Sequence, residues 1–226
     1  IVGYDENDVY LHTSPLCHIG GISSALAVLM VGGCHVMIPK FEAKTAVETI
    51  RKHNVSALIT VPAIMSDLIT SHRMGKYSET FTSVTKILNG GGGLSAELTK
   101  EAVRIFPRAK LISAYGMTEA CSSITFLRLY DPTQGLGLLM GGGGSCVGKA
   151  APHVELKVDS GGRILMRGPH AMSGYLGIQG SSSSAADRWI DTGDIGRIDG
   201  DGNLWLVGRA KGKIKSGGEN IYPEEV

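Results

Sequence analysis

Tyr115, Thr118 and Glu119 stand in one short string, Ser113-Ala114-Tyr115-Gly116-Met117-Thr118-Glu119, directly behind an apolar run. An aromatic plate, a hydroxyl and a carboxylate at this spacing suit a nucleotide. The ring can lie against a purine and the hydroxyl can donate to a phosphate oxygen. The carboxylate can hold the magnesium ion that accompanies a triphosphate, because a hard cation takes oxygen ligands. Taken alone, the string also fits an ordinary strand exit with a tyrosine at its edge.

The elements around it decide what it can reach. Residues 110–114 have the character of a buried parallel strand, whose carboxyl end normally faces a ligand crevice. Before them, helix-like and strand-like segments alternate. Helices are predicted over 22–31, 43–53 and from Pro62, and strands over 34–38, 55–61 and 84–88. Ser95 suits the N-cap of a further helix with Leu98, Ala102 and Ile105 as its apolar stripe. That helix follows Gly90, Gly91, Gly92 and Gly93, so backbone N–H groups and a positive helix end meet whatever fills the crevice, although four glycines also make a plain flexible turn. Beyond residue 145 the texture changes to short strands (154–158, 163–166, 203–207) separated by Asp/Gly turns, as in a small β-barrel or sheet. The predicted fold is α/β, a parallel sheet flanked by helices and followed by a small β-barrel-like subdomain. Its parts are 1–144, 145–208 and 209–226.

Five strings in order resemble the adenylate-forming (AMP-binding) acyl-CoA synthetase superfamily. Pro15-Leu16-Cys17-His18-Ile19-Gly20-Gly21 is similar to its histidine motif, and Asn89-Gly90-Gly91-Gly92-Gly93-Leu94-Ser95 to its adenine-binding turn. Tyr115 to Glu119 follow. Trp189-Ile190-Asp191-Thr192-Gly193-Asp194-Ile195-Gly196 resembles the ribose motif, and the stretch from Gly208 to Pro223 the hinge and the loop after it. Within the superfamily, His12-Thr13-Ser14-Pro15-Leu16 and Ala120-Cys121-Ser122-Ser123 resemble the plant 2-succinylbenzoate-CoA ligases of phylloquinone synthesis. The resemblance is weakest over 135–144 and 177–186, where Gly or Ser runs intervene.

The resemblance implies an ATP-dependent acid–thiol ligase: a carboxylate attacks the α-phosphate of ATP, and the thiol of CoA then displaces AMP. It gives Glu119 the magnesium and Thr118 the α-phosphate. Gly90 to Gly93 and Tyr115, with Gly116 and Met117, bracket adenine. Asp194 accepts from the ribose hydroxyls, and Arg209 adds a fixed positive charge. His18 lines the passage where acyl group and thiol meet, with gating or packing favoured over acid–base work. Lys211 is the hinge, while Lys215, Gly217 and Gly218 belong to a loop on the CoA side. A small aromatic carboxylic acid is the expected substrate and the chloroplast, or also the peroxisome, the expected location. The family's phosphate-gripping loop is expected upstream of Ile1 and its adenylation lysine beyond Val226, so this piece alone is expected to be inactive. Coumaroyl- or fatty-acyl-CoA ligase, a luciferase-like oxidase and a non-catalytic AMP-binding module are the competing readings.

Composition sets outer bounds. With 22 basic against 21 acidic residues in 226, no global charge draws nucleic acid or an anionic membrane, so a polyanion must be held locally. No apolar run reaches the roughly 20 residues of a membrane span. Cys17, Cys34, Cys121 and Cys146 are scattered, without the pairs that hold structural zinc.

Overall fold

The computed structural model describes residues 1–75, 80–137, 145–176, 188–210, 214–216 and 219–221. The chain divides into two compact units: Ile1–Ser113 with Arg128–Leu139, and Ala114–Leu127 with Met140–Val226. The division runs through two strands, so it falls earlier than the change of texture after residue 145, and the second unit takes in the Tyr115–Glu119 string.

In the first unit, β1 (Val9–His12), β2 (Cys34–Met37), β3 (Ala57–Thr60), β4 (Lys86–Asn89) and the start of β5 (Lys110–Met117) lie parallel in the order β2-β1-β3-β4-β5. All four residues of β3 are buried, as a strand covered on both faces requires. The helices α1 (Ile19–Met30), α2 (Ala43–His53), α3 (Pro62–Met74) and α4 (Ala96–Ile105) connect the strands. Helix α2 buries Ala46, Val47 and Ile50, each large aliphatic chain contributing about 1.5–3 kcal/mol. It ends at Asn54, which takes the left-handed conformation at φ 49°. Pro62 opens α3, where its missing N–H costs nothing. Ser95 caps α4 by accepting from the Leu98 N–H at 3.1 Å. Helix α1 starts at Ile19, earlier than predicted, because Gly21 can approach the Pro15 carbonyl: a Cβ there would lie 2.2 Å from its oxygen. The end of β6 (Ser122–Asp131) pairs with β7 (Gly135–Leu136) to complete the unit.

The second unit is antiparallel. The first half of β6 pairs with β8 (Ser145–Ala150), β8 with β12 (Leu204–Arg209), β12 with β11 (Ile190–Ile198), β11 with β10 (Arg163–Arg167), and β10 with β9 (Glu155–Val158). A short pair, β13 (Ile214–Ser216) with β14 (Glu219–Ile221), follows. Ile124, Ile164, Met166, Ile190 and Leu204 form its core together with the ring of Tyr115. Among the described residues no helix is long and apolar enough to cross a membrane.

Candidate active site

The Thr118–Glu119 corner is built by close backbone approach. Strand β5 runs on past the predicted residue 114 to Met117, a 3-10 turn covers Thr118–Ala120, and β6 begins at Ser122. Gly116 faces the Ser122 carbonyl so closely that a Cβ would lie 1.8 Å from its oxygen. The chain reverses through Cys121 (φ 49°) and Ser122 (φ 110°), two consecutive non-glycine residues at positive φ, a cost that tends to be retained at functional sites. Ala120 is buried beneath the corner, which leaves Thr118 exposed and Glu119 half-buried. The Glu119 carboxylate accepts from the Tyr175 hydroxyl at 2.7 Å, and its backbone carbonyl accepts from the Met172 N–H at 2.8 Å.

Asp194 lies on β11, where Ile190, Thr192, Asp194 and Gly196 alternate inward. An inward carboxylate needs partners, and Asp194, only 5% exposed, has two. Tyr115, 79 residues away in sequence, donates its hydroxyl to Oδ2 at 2.6 Å. Arg209, opposite Asp194 across the β11–β12 ladder, brings Nε to within 2.7 Å of Oδ1. Burial and then the charge of Asp194 push the Tyr115 phenol far above its usual range, so it remains a donor. The neighbours explain the rest of the motif. Gly193 at φ 73° lets its carbonyl accept from the Ala210 N–H at 2.9 Å. Thr192 donates to the Ile164 carbonyl at 3.0 Å and accepts from the Asp194 N–H at 3.2 Å. At Gly196 a Cβ would strike the Trp205 carbonyl oxygen at 2.3 Å.

The Tyr115 ring is only 7% exposed and packs in the core of its unit. The open purine-stacking face expected from the sequence is therefore largely covered, and the hydroxyl is the polar part the structure puts to use. Each carboxylate oxygen of Asp194 still has a further lone pair for a ligand hydroxyl.

Among the described residues no group of three or more His, Cys, Asp or Glu could enclose a metal ion. One half-buried carboxylate beside an exposed hydroxyl fits a different cation: magnesium, which keeps several waters and phosphate oxygens and takes only one or two protein carboxylates.

Of the remaining expected residues, Gly90 to Gly93 and His18 belong to the first unit, Lys215 to the second, and the rest fall outside the described residues. Thr60 and Asn89, at the carboxyl ends of β3 and β4, stand side by side with Ser113 in the middle of β5. The Gly90 N–H donates to the Thr60 carbonyl at 2.8 Å, and Asn89 Nδ2 donates to the Gly92 carbonyl at 2.7 Å. These bonds fix the glycine turn, with Gly91 at φ 68° and open space beside Gly90. His18 is exposed at the N-cap position of α1. Lys215 is in β13, whereas Lys211, Gly217 and Gly218 lie outside the described residues, as do 177–186.

Sequence reasoning missed Tyr175, Met172 and Arg188. The Gly168-Pro169 and Gly174-Tyr175 pairs mark a loop carrying an aromatic hydroxyl, which is a signal for a functional loop but not for its target.

Comparison with known proteins gives the family and the fold. The family described as AMP-binding enzyme matches residues 2–176. A 2-succinylbenzoate–CoA ligase, chloroplastic/peroxisomal, of Arabidopsis thaliana is 56% identical over all of this chain and 44% of its own length. The indoleacetate–CoA ligase of Aromatoleum aromaticum is 33% identical over 97% of this chain and 43% of its own. Among solved structures, the o-succinylbenzoate coenzyme A synthetase of Bacillus subtilis in complex with ATP and magnesium ion superposes with a TM-score of 0.74 at 29% identity, covering 100% of this chain and 46% of that one. The chain thus spans a little under half the length of the relatives it matches. On the family match over most of its length and on these relatives, it belongs to the AMP-binding enzyme family.

Proposed function

We propose that the whole protein is an AMP-forming acid–thiol ligase that converts 2-succinylbenzoate to its CoA thioester, in phylloquinone-type biosynthesis and in the chloroplast or peroxisome. The observation that carries the reading is the convergence of Tyr115 and Arg209 on the buried carboxylate of Asp194, in the unit that also holds Thr118 and Glu119. The likeness to the Arabidopsis ligase supports the substrate.

In this reading the substrate carboxylate oxygen attacks the α-phosphorus of ATP, pyrophosphate leaves, and the CoA sulfur then attacks the acyl carbon as AMP departs. Asp194 accepts from the ribose hydroxyls; the Tyr115 phenol and the Arg209 guanidinium hold its two oxygens in one plane and prevent it from rotating away. Thr118 donates to an α-phosphate oxygen. Glu119 contacts magnesium, which offsets the repulsion between two anions when bound. Gly90 to Gly93 and His18 keep the adenine and acyl-passage roles that the family resemblance gives them, and Lys211, Lys215, Gly217 and Gly218 the hinge and CoA-side roles.

The test is a panel of carboxylic acids with the whole protein, ATP and CoA, monitored by AMP release. 2-Succinylbenzoate is expected to react fastest. Faster reaction with straight-chain fatty acids would overturn the substrate, and no AMP release with any acid would overturn the ligase.

A further inference from the structure

We infer that Tyr175 is a positioning residue for Glu119, its phenol holding the carboxylate in the orientation that receives the divalent cation accompanying a nucleoside triphosphate. The inference rests on the reading of Glu119 as a metal contact. A glutamate side chain has several rotatable bonds, and on a half-exposed turn it loses rotamer entropy when a cation fixes it. A donor that fixes it beforehand removes part of that cost. Tyr175 supplies such a donor to Oε1 at 2.7 Å.

The phenol is aimed by the loop that carries it. The Met172 N–H donates to the Glu119 backbone carbonyl at 2.8 Å, so the loop grips the main chain of the same residue whose side chain it holds. Arg188 fastens the loop from the other side, donating to the carbonyls of Met172 at 3.1 Å and Ser173 at 3.3 Å. Ala171 is buried in the core of the unit and anchors the loop's start. The chemistry of the donor also matters. A lysine or arginine at this point would neutralise the carboxylate and compete with a cation, whereas a phenol orients it and leaves its charge intact, with Oε2 unclaimed by that bond.

The experiment titrates Mn2+ into the whole protein by electron paramagnetic resonance, in the presence of a non-hydrolysable ATP analogue, with the melting temperature recorded in parallel. Y175F is expected to raise the Mn2+ dissociation constant about three- to tenfold, the range for one lost hydrogen bond in an exposed setting, with little change in melting temperature. E119Q is expected to weaken Mn2+ binding further, and Y175F to add nothing in that background. If E119Q weakens Mn2+ binding and Y175F does not, the positioning role of Tyr175 is wrong while the metal contact stands. If E119Q leaves Mn2+ binding unchanged, the metal contact itself is wrong.

Discussion

The β11–β12 hairpin holds an aspartate at each end, and the two are used in opposite ways. At the closed end, Asp199 is satisfied by its own turn: its oxygens accept from the Asp201 and Asn203 N–H groups, from Asn203 Nδ2, and from Trp205 Nε1 at 2.7 Å. All of those donors lie within the turn and the strand that follows. At the open end, Asp194 depends on Arg209 across the ladder and on a tyrosine 79 residues away. Local donors make a carboxylate part of the fold. A buried carboxylate held by a cross-strand arginine and by a tyrosine far off in the chain, with lone pairs left over, is the candidate ligand contact.

Removing the two carboxylates separates these roles. D194A leaves the buried Tyr115 hydroxyl and the largely buried Arg209 without their partner, so it is expected to cost about 3–5 kcal/mol, read by urea denaturation. It should also abolish AMP binding measured by calorimetry. D194N, which keeps an acceptor for the phenol, should recover part of the stability but not the affinity. The comparison breaks if D199A reduces AMP affinity as much as D194A does.

Two glycines of the same hairpin give a smaller contrast. At Gly196 a Cβ would meet the Trp205 carbonyl oxygen at 2.3 Å and Ile164 Cδ1 at 2.8 Å, so G196A forces the strands apart and should cost about 1–3 kcal/mol. Gly202 has open space around it but sits at φ 81°, so G202A should cost about 1 kcal/mol and leave AMP binding unchanged. Equal losses of AMP affinity from the two substitutions would show that the closed end also shapes the site.

The same difference explains what the sequence made legible. Features whose causes are local were readable: the buried run of β3, the apolar stripe of α2, Pro62 at the start of α3, the Ser95 cap, and the Asp/Gly turns at 159–162 and 199–203. Strand β1 was missed because it is only four residues long and ends on His12, which bonds to His35 on the neighbouring strand at 2.8 Å. Strand β6 was missed because it opens on the polar pair Ser122 and Ser123, which hides the start of the alternation behind it. In the site, the string from Tyr115 to Glu119 and the Asp194 motif were legible as types and order. The covering of the Tyr115 ring and the grip of Tyr175 on Glu119 were not, since each depends on residues far off in the chain. The inward alternation of Ile190, Thr192, Asp194 and Gly196 was available as a warning that Asp194 is buried, but its two glycines masked the strand.

The closed end also makes a claim about pH. Hydrogen bonds from Trp205 first, then from Asn203, hold the Asp199 carboxyl at about 2, below its ordinary 3.8. A group held below its unfolded value contributes stability that is fully present above the ordinary range and is lost as pH falls through the folded value. The expected outcome is a gap in urea midpoint between the natural chain and D199N that is constant at neutral pH and narrows as the pH falls from near 4 toward 2, followed by tryptophan fluorescence because Trp205 is itself a donor. A gap that stays flat across that window would mean the turn does not favour the charged form of Asp199.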